Sequence, residues 1–97
     1  MILLGVIMMV YDIFLDQLPK IDLHGFDRDS ARVSVNDFIE ESYFLGYSEV
    51  LIIHGIGSGI VKEATHEALS RNKRVSQFHV CGENIGCTIV FLKKRGR

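Results

Sequence analysis

Three glycines at alternate positions follow a histidine in the middle of the chain, in the segment His-Gly-Ile-Gly-Ser-Gly at residues 54–59. The residues before it are apolar, and a helical pattern begins after it, which predicts a strand, a tight loop and a helix N-terminus. Glycines let a backbone approach a ligand closely, and free N–H groups at a helix start attract anions. The segment therefore predicts a phosphate site at Gly55, Gly57, Ser58 and Gly59, with His54 at its rim.

A second His-Gly pair ends a shorter apolar segment, which we predict to be a strand over residues 21–24. Strand alternation places Asp22 and His24 side by side on one face. An imidazole beside a carboxylate suits general acid–base chemistry, because histidine titrates near neutral pH. The structural alternative is that Asp22 only fixes a neighbouring loop, that His54 only terminates its strand, and that the glycines serve only the turn.

The elements that must position these residues follow from hydrophobic periodicity. We predict helices over residues 27–45, with Asp27 as N-cap, and from an N-cap at Ser58 to about Arg71, with His66 on the ordinary surface. Further strands are predicted at residues 50–54, 75–81 and 87–92. The order β-α-β-α-β-β, with right-handed crossovers in one direction, gives a two-layer α/β sandwich with both helices on one face. If the first two strands are neighbours, the two His-Gly motifs converge at one sheet edge.

The composition describes one small globular domain: 97 residues, 47% hydrophobic and 24% charged, with a net charge of −1. The charge is uneven, because residues 71–97 carry seven basic residues and one acidic residue. A basic C-terminal third can meet a phosphate backbone, although a solvated turn and tail is the simpler explanation.

The N-terminal end is apolar and needs a separate explanation. Residues 1–11 are too few for the roughly 20 that span a bilayer, and they lack the basic start and cleavage site of a signal peptide. We interpret residues 1–19 as an extra strand or a flap over an apolar sheet face, or as the result of a start codon placed too far upstream. We expect a cytoplasmic protein without membrane association, with reduced Cys81 and Cys87.

Three motifs together resemble those of the small MutS-related (Smr) domain: Ile-Asp-Leu-His-Gly at 21–25, the loop at 54–59, and Gly-Cys-Thr-Ile-Val at 86–90. The resemblance covers roughly residues 20–93 and leaves 94–97 as a basic tail. It implies the fold of the C-terminal domain of translation initiation factor 3, a four-stranded mixed sheet of order 1-2-4-3 with strand 4 antiparallel. It also implies nucleic-acid binding, often with nicking of DNA or cleavage of RNA. Ile56 stands where the family frequently has a basic residue.

The resemblance maps the family's Asp and His to Asp22 and His24 and its loop histidine and glycines to His54, Gly55, Gly57 and Gly59, and we form a hypothesis for an endonuclease, a phosphodiester hydrolase, on these and nearby residues. His24, oriented or made more basic by Asp22, acts as general base or acid, and His54 takes the complementary role or binds the phosphate. The backbone of the loop cradles a phosphate, while flanking nucleic acid is held by Lys62, Lys73 and Arg74. Alternatively, Asp22 and one histidine bind Mg²⁺ or Mn²⁺ to activate water, although one carboxylate is few for magnesium. A metal-free route with two histidines would suit RNA better, since the 2′-hydroxyl supplies the nucleophile.

Two other classes of function compete with a nuclease. A non-catalytic module would bind nucleic acid or protein through the same loop without cutting. A nucleotide-binding enzyme fits poorly, because Ile60 stands where the dinucleotide motif requires glycine and the chain has no Gly-Lys-Ser/Thr sequence.

Overall fold

The computed structural model describes residues 17–81 and 86–95. They form a two-layer α/β sandwich of six elements in the predicted order, with these bounds: β1 Lys20–Asp22, α1 Arg28–Phe44, β2 Glu49–Ile53, α2 Ile60–Arg71, β3 Val75–Val80 and β4 Cys87–Leu92. The sheet order is β1-β2-β4-β3. β1 is parallel to β2, and β4 is antiparallel to both of its neighbours. The predicted fold class and strand order are confirmed.

β2 is a central strand and is apolar on both faces, as expected for a strand that other elements cover. Val50 and Ile52 face the helices, and Leu51 faces the opposite side. Both helices contribute to the same core as Val50 and Ile52, so they lie on one face of the sheet. That core consists of Leu23, Ala31, Val35, Ile39, Val50, Ile52, Ala64, Ala68, Leu69, Val90 and Leu92.

A second apolar cluster lies on the sheet face opposite the helices. Its buried members are Leu51, Cys81, Cys87 and Ile89. The two cysteines are free thiols, and burial together with the neighbouring Cys87 raises the pKa of Cys81 to about 12. Cys81 is therefore a protonated, unreactive thiol at neutral pH.

Several predicted boundaries are corrected by the structure. β1 ends at Asp22 rather than His24, because Phe26 donates its N–H to the carbonyl of Leu23 at 3.0 Å and closes a turn around His24. α2 is capped by Gly59 rather than Ser58, and its first helical residue is Ile60. The Ser58 hydroxyl only approaches the Ile60 N–H, at 3.4 Å. The extra strand or flap predicted for the N-terminal segment lies outside the described residues, apart from residues 17–19.

Candidate phosphate site at the glycine loop

A cavity of about 430 Å³ opens at the edge of the sheet where β1 and β2 end. Two segments line it: residues 24–28, which lead into α1, and residues 54–62, which lead into α2. The parallel pairing of Asp22 with Ile53 brings the two strand ends together. A Cβ atom added to Gly55 would lie 3.5 Å from the Cβ of His24, so the two His-Gly motifs are in direct contact. The convergence predicted from the sequence is present.

Asp22 and His24 form a hydrogen-bonded pair on the rim of this cavity. The Nδ1 atom of His24 lies 2.8 Å from Oδ1 of Asp22, and the backbone N–H of His24 donates to the same oxygen at 3.1 Å. These hydrogen bonds lower the pKa of Asp22, which stays ionised and therefore holds the proton of His24 on Nδ1. The side chain of His24 is 79% exposed, and its Nε2 makes no hydrogen bond within residues 17–81 and 86–95. A neutral His24 thus presents a bare Nε2 to solvent.

The two helices that start at the cavity differ in how their N-termini are satisfied. Asp27 caps α1 by accepting a hydrogen bond from the Ser30 N–H at 2.7 Å. Gly59 gives α2 no side-chain cap. No N–H of Ile56, Gly57 or Ser58 donates to another residue in the described part of the chain. Unpaired N–H groups of a loop that leads into a helix N-terminus are the kind of donors that anions accept from, so this loop is a candidate anion site.

His54 lies inside the fold, beneath the glycine loop, and is only 4% exposed. Its Nδ1 lies 3.1 Å from the carbonyl oxygen of Gly55, and its Nε2 lies 2.9 Å from Oγ1 of Thr88. Burial, together with the positive charge of Lys62, lowers the pKa of His54. Both ring nitrogens of His54 therefore have partners within the protein, whereas in His24 only Nδ1 has one.

The prediction that His66 is an ordinary surface residue is wrong. Its Nε2 lies 2.8 Å from the same Oγ1 of Thr88, and its ring meets that of His54 edge to face at 5.8 Å. Burial, followed by the charges of His54 and Lys62, lowers its pKa. Thr88 is a further residue of this site that the sequence analysis missed, although the alternation of residues along β4 indicated it. It alternates with Val90 and Leu92, so its hydroxyl had to face the apolar core and needed a hydrogen-bond partner there.

The cationic residues that we predicted to hold nucleic acid are divided between two ends of the sheet. Lys62 lines the cavity, as does Arg28, which pairs with Glu63 at 2.9 Å. Lys73 and Arg74 precede β3, whose first residue pairs with the last residue of β4, at the sheet edge opposite the glycine loop. The Nε of Arg74 donates to Glu40 at 3.1 Å, and its guanidinium lies over the ring of Tyr43, with 4.3 Å from Cζ to the centroid. The structure therefore does not bring Lys73 and Arg74 to the cavity.

The donor set at the cavity is a poor match for a divalent metal. Within the described residues, no three or more His, Cys, Asp or Glu side chains are grouped to hold an ion. The two carboxylates nearest to His24 in the sequence are already engaged: Oδ1 of Asp22 accepts two hydrogen bonds from His24, and Oδ1 of Asp27 accepts one from the Ser30 N–H. Mg²⁺ and Mn²⁺ favour several oxygen ligands, and this donor set offers few.

Comparison with known proteins identifies relatives over most of the chain. The family model of the Smr domain matches residues 21–93. The endonuclease MutS2 of Aquifex aeolicus (strain VF5) is 39% identical over 82 residues, which cover 81% of this chain and 11% of that protein. The endonuclease MutS2 of Streptococcus suis (strain 05ZYH33) is 34% identical over 77 residues, 76% of this chain and 10% of that protein. The chain thus spans about a tenth of the length of these curated relatives.

Two solved structures share the fold. The Smr domain of Thermus thermophilus MutS2 has a TM-score of 0.75 and 34% identity, covering 78% of this chain and 99% of that one. YdaL, a stand-alone small MutS-related protein from Escherichia coli, has a TM-score of 0.73 and 25% identity, covering 80% of this chain and 66% of that one. Separately, no helix within the described residues has the length and apolar character needed to cross a membrane.

Proposed function

Because the chain belongs to the Smr domain family, we propose that it is an endonuclease that binds nucleic acid at the glycine loop and cleaves a phosphodiester bond with the Asp22–His24 pair. One observation carries this proposal. An exposed imidazole, fixed by an ionised carboxylate, stands at the rim of a cavity whose other lining segment includes Ile56, Gly57 and Ser58, which have unpaired backbone N–H groups. That arrangement joins a proton acceptor to an anion site.

The phosphate would lie against the glycine loop and the first turn of α2. Charge on a phosphoryl group rises as a nucleophile attacks, and backbone N–H groups fixed in advance stabilise it without reorganising. The partial positive charge at the start of α2 acts in the same direction. Lys62, in that first turn, adds a full positive charge at the cavity wall. A bound phosphate also relieves the unfavourable placement of a lysine at a helix N-terminus.

His24 would move the proton. Its Nε2 accepts the proton of the attacking hydroxyl, from water or from the 2′-hydroxyl of RNA, while Asp22 stabilises the imidazolium that forms. The hydroxyl oxygen then bonds to phosphorus, and the bond from phosphorus to the leaving oxygen breaks. The protonated His24 or a water molecule returns a proton to that oxygen. His54 is buried with both ring nitrogens engaged, so in this proposal it supports the loop and transfers no proton to or from the substrate.

The names of the relatives support a nuclease, since the matched proteins are called endonucleases. We propose nucleic acid of either kind as the substrate, because the backbone phosphate that the glycine loop would bind is common to DNA and RNA. A cleavage assay must therefore offer both.

The test is cleavage of supercoiled plasmid and of a labelled structured RNA, each with and without Mg²⁺ or Mn²⁺. Wild type is compared with Asp22→Asn, His24→Ala and the control His79→Ala, with binding measured in parallel at fixed salt. His79 is an exposed histidine on β3 whose ring packs against Phe91, away from the cavity. We expect His24→Ala to lower cleavage by at least about 100-fold, the usual contribution of a general base. Asp22→Asn should lower it less, and His79→Ala should leave it unchanged.

A second function, binding without cleavage, is favoured by one observation: the cavity presents one exposed histidine, His24, rather than the two that a paired acid and base would need. Binding that survives in all three variants without any cleavage in wild type would establish that function. Cleavage that persists in His24→Ala would refute the catalytic assignment. Absence of binding by wild type to either substrate would refute both functions.

A further inference from the structure

Two histidines from different elements meet at a single buried hydroxyl beneath the glycine loop. Thr88 is fully buried on β4, and its Oγ1 lies 2.9 Å from Nε2 of His54 and 2.8 Å from Nε2 of His66. His66 comes from the middle of α2, and its ring also lies 5.1 Å from that of Phe78 on β3. The cluster therefore joins the residue that follows β2 to α2, β3 and β4, behind the proposed phosphate site. Thr88 itself does not line the cavity.

The donors and acceptors in this cluster determine where its protons lie. The carbonyl oxygen of Gly55 can only accept, so the hydrogen bond from His54 requires a proton on its Nδ1. A neutral His54 then has a bare Nε2, which accepts the hydroxyl proton of Thr88. The oxygen of Thr88 in turn accepts from a protonated Nε2 of His66. The chain runs in one direction, from His66 through Thr88 and His54 to the carbonyl of Gly55.

The end of this chain sets the orientation of the glycine loop. The peptide bond is planar and trans, so the carbonyl of Gly55 and the N–H of Ile56 point in opposite directions. When the buried ring of His54 holds that carbonyl inward, the N–H of Ile56 points away from the ring. The N–H groups of His54 and Gly55 both donate to the carbonyl of Gly86 at 2.8 Å, which fixes the preceding peptides as well.

We propose that Thr88 is a positioning residue of the site, and that its hydroxyl, held by His66, fixes the Nδ1–H form and ring orientation of His54 and so aims the glycine loop at the phosphate. The part of this proposal that concerns phosphate rests on the proposed function. The part that concerns the histidines does not. Both His54 and His66 are neutral at neutral pH under this assignment, with Lys62 as the nearby cation that opposes their protonation.

The test uses the full chain and three variants at buried threonines. Thr88→Val removes the hydroxyl while keeping the shape, and Thr88→Ser restores the hydroxyl. Thr65→Val is the matched control, because Thr65 is also fully buried on α2 and its hydroxyl has no hydrogen-bond partner within the described residues. Long-range ¹H–¹⁵N correlation spectra identify the protonated ring nitrogen of each histidine. Amide hydrogen exchange reports how tightly the His54 and Gly55 N–H groups are held, with the Leu51 N–H of β2 as internal reference.

We expect His54 to carry its proton on Nδ1 and His66 on Nε2 in wild type, Thr88→Ser and Thr65→Val. In Thr88→Val, the His54 and Gly55 amides should exchange about tenfold faster relative to Leu51, because loss of a buried hydrogen-bond partner loosens the ring locally. A wild-type His54 protonated on Nε2 would overturn the proposal, as would a Thr88→Val variant that matches Thr65→Val. If Thr88→Val does not fold, the wild-type proton assignment still decides. These measurements need no nucleic acid, so failure of the proposed function leaves their outcome unaffected.

Discussion

Replacement of Gly86 by alanine tests the close contact that holds the glycine loop against β4. Gly86 has a φ of +66°, and a Cβ atom placed on it would lie 2.6 Å from the carbonyl carbon of Gly55 and 2.8 Å from its oxygen. Both are backbone atoms, so no side chain can rotate away. The Gly55 backbone is also tied to Gly86 itself, because the Gly86 carbonyl accepts the N–H groups of His54 and Gly55 at 2.8 Å each.

The expected loss of stability is the sum of two effects. An L-residue in the left-handed region costs about 1–2 kcal/mol. Relief of the overlap requires a displacement of nearly 1 Å to reach ordinary contact, which weakens both hydrogen bonds to the Gly86 carbonyl, each with a net value of about 1 kcal/mol. We therefore expect Gly86→Ala to lower the free energy of unfolding by about 3 kcal/mol.

Equilibrium unfolding in urea with two control variants separates these effects. Gly25 has a φ of +83° and open space around an added Cβ, so Gly25→Ala should cost only the left-handed conformation, about 1 kcal/mol. Gly57 has open space and an ordinary φ, so Gly57→Ala should lie within about 0.5 kcal/mol of wild type. If Gly86→Ala costs no more than Gly25→Ala, the contact between Gly86 and Gly55 does not constrain the loop.

Two further predictions concern charge. Stability should fall as the pH drops from about 7.5 to about 5.5: burial lowers the folded-state pKa values of His54 and His66 below 6.5, so the unfolded chain binds more protons in this range. Thermal unfolding at several pH values measures this pH dependence of stability. His66→Gln should reduce the pH dependence, and a stability that rises on acidification would contradict the prediction. For nucleic acid, Lys62→Gln should reduce the salt dependence of binding by about one phosphate contact, whereas Lys73→Gln should leave it unchanged. Mobility shifts over a salt series measure both, and equal effects would refute the division between the two sheet edges.

The fold was predictable because hydrophobic periodicity and the three motifs agree with each other. The β-branched run of β2 predicted a central strand, and the convergence of the two His-Gly pairs followed once β1 and β2 were neighbours. The N-cap of α2 was not predictable from residue type, because serine is a favoured N-cap residue. The conformation of the loop instead places Gly59 at the N-cap position. His66 was wrongly predicted to be an ordinary surface residue because its partner, Thr88, lies 22 positions away on β4. The periodicity of the helix alone does not indicate which strand residues its side chains contact.

Lys73 and Arg74 were wrongly assigned to the site for a different reason. Counting charge along the chain groups them with the site, but the element order already contained the correction. In a parallel arrangement, strand-to-helix loops lie at one sheet edge and helix-to-strand turns lie at the other. The turn before β3 follows α2, so its residues lie at the edge opposite the glycine loop. Topology should therefore be applied to charged residues before they are assigned to a site.

The two His-Gly pairs carry the same side chain at equivalent strand ends, and burial alone separates their chemistry. His24 lies just beyond the three-residue edge strand β1, where solvent reaches Nε2 and one carboxylate fixes Nδ1. His54 follows the central strand, with α2 above it and β4 beside it, so each of its nitrogens meets a protein partner. A histidine can exchange protons with a substrate only through a nitrogen that the protein leaves open. The edge position of β1 therefore leaves Nε2 of His24 open for the proton transfer that we propose, and the central position of β2 gives each nitrogen of His54 a protein partner.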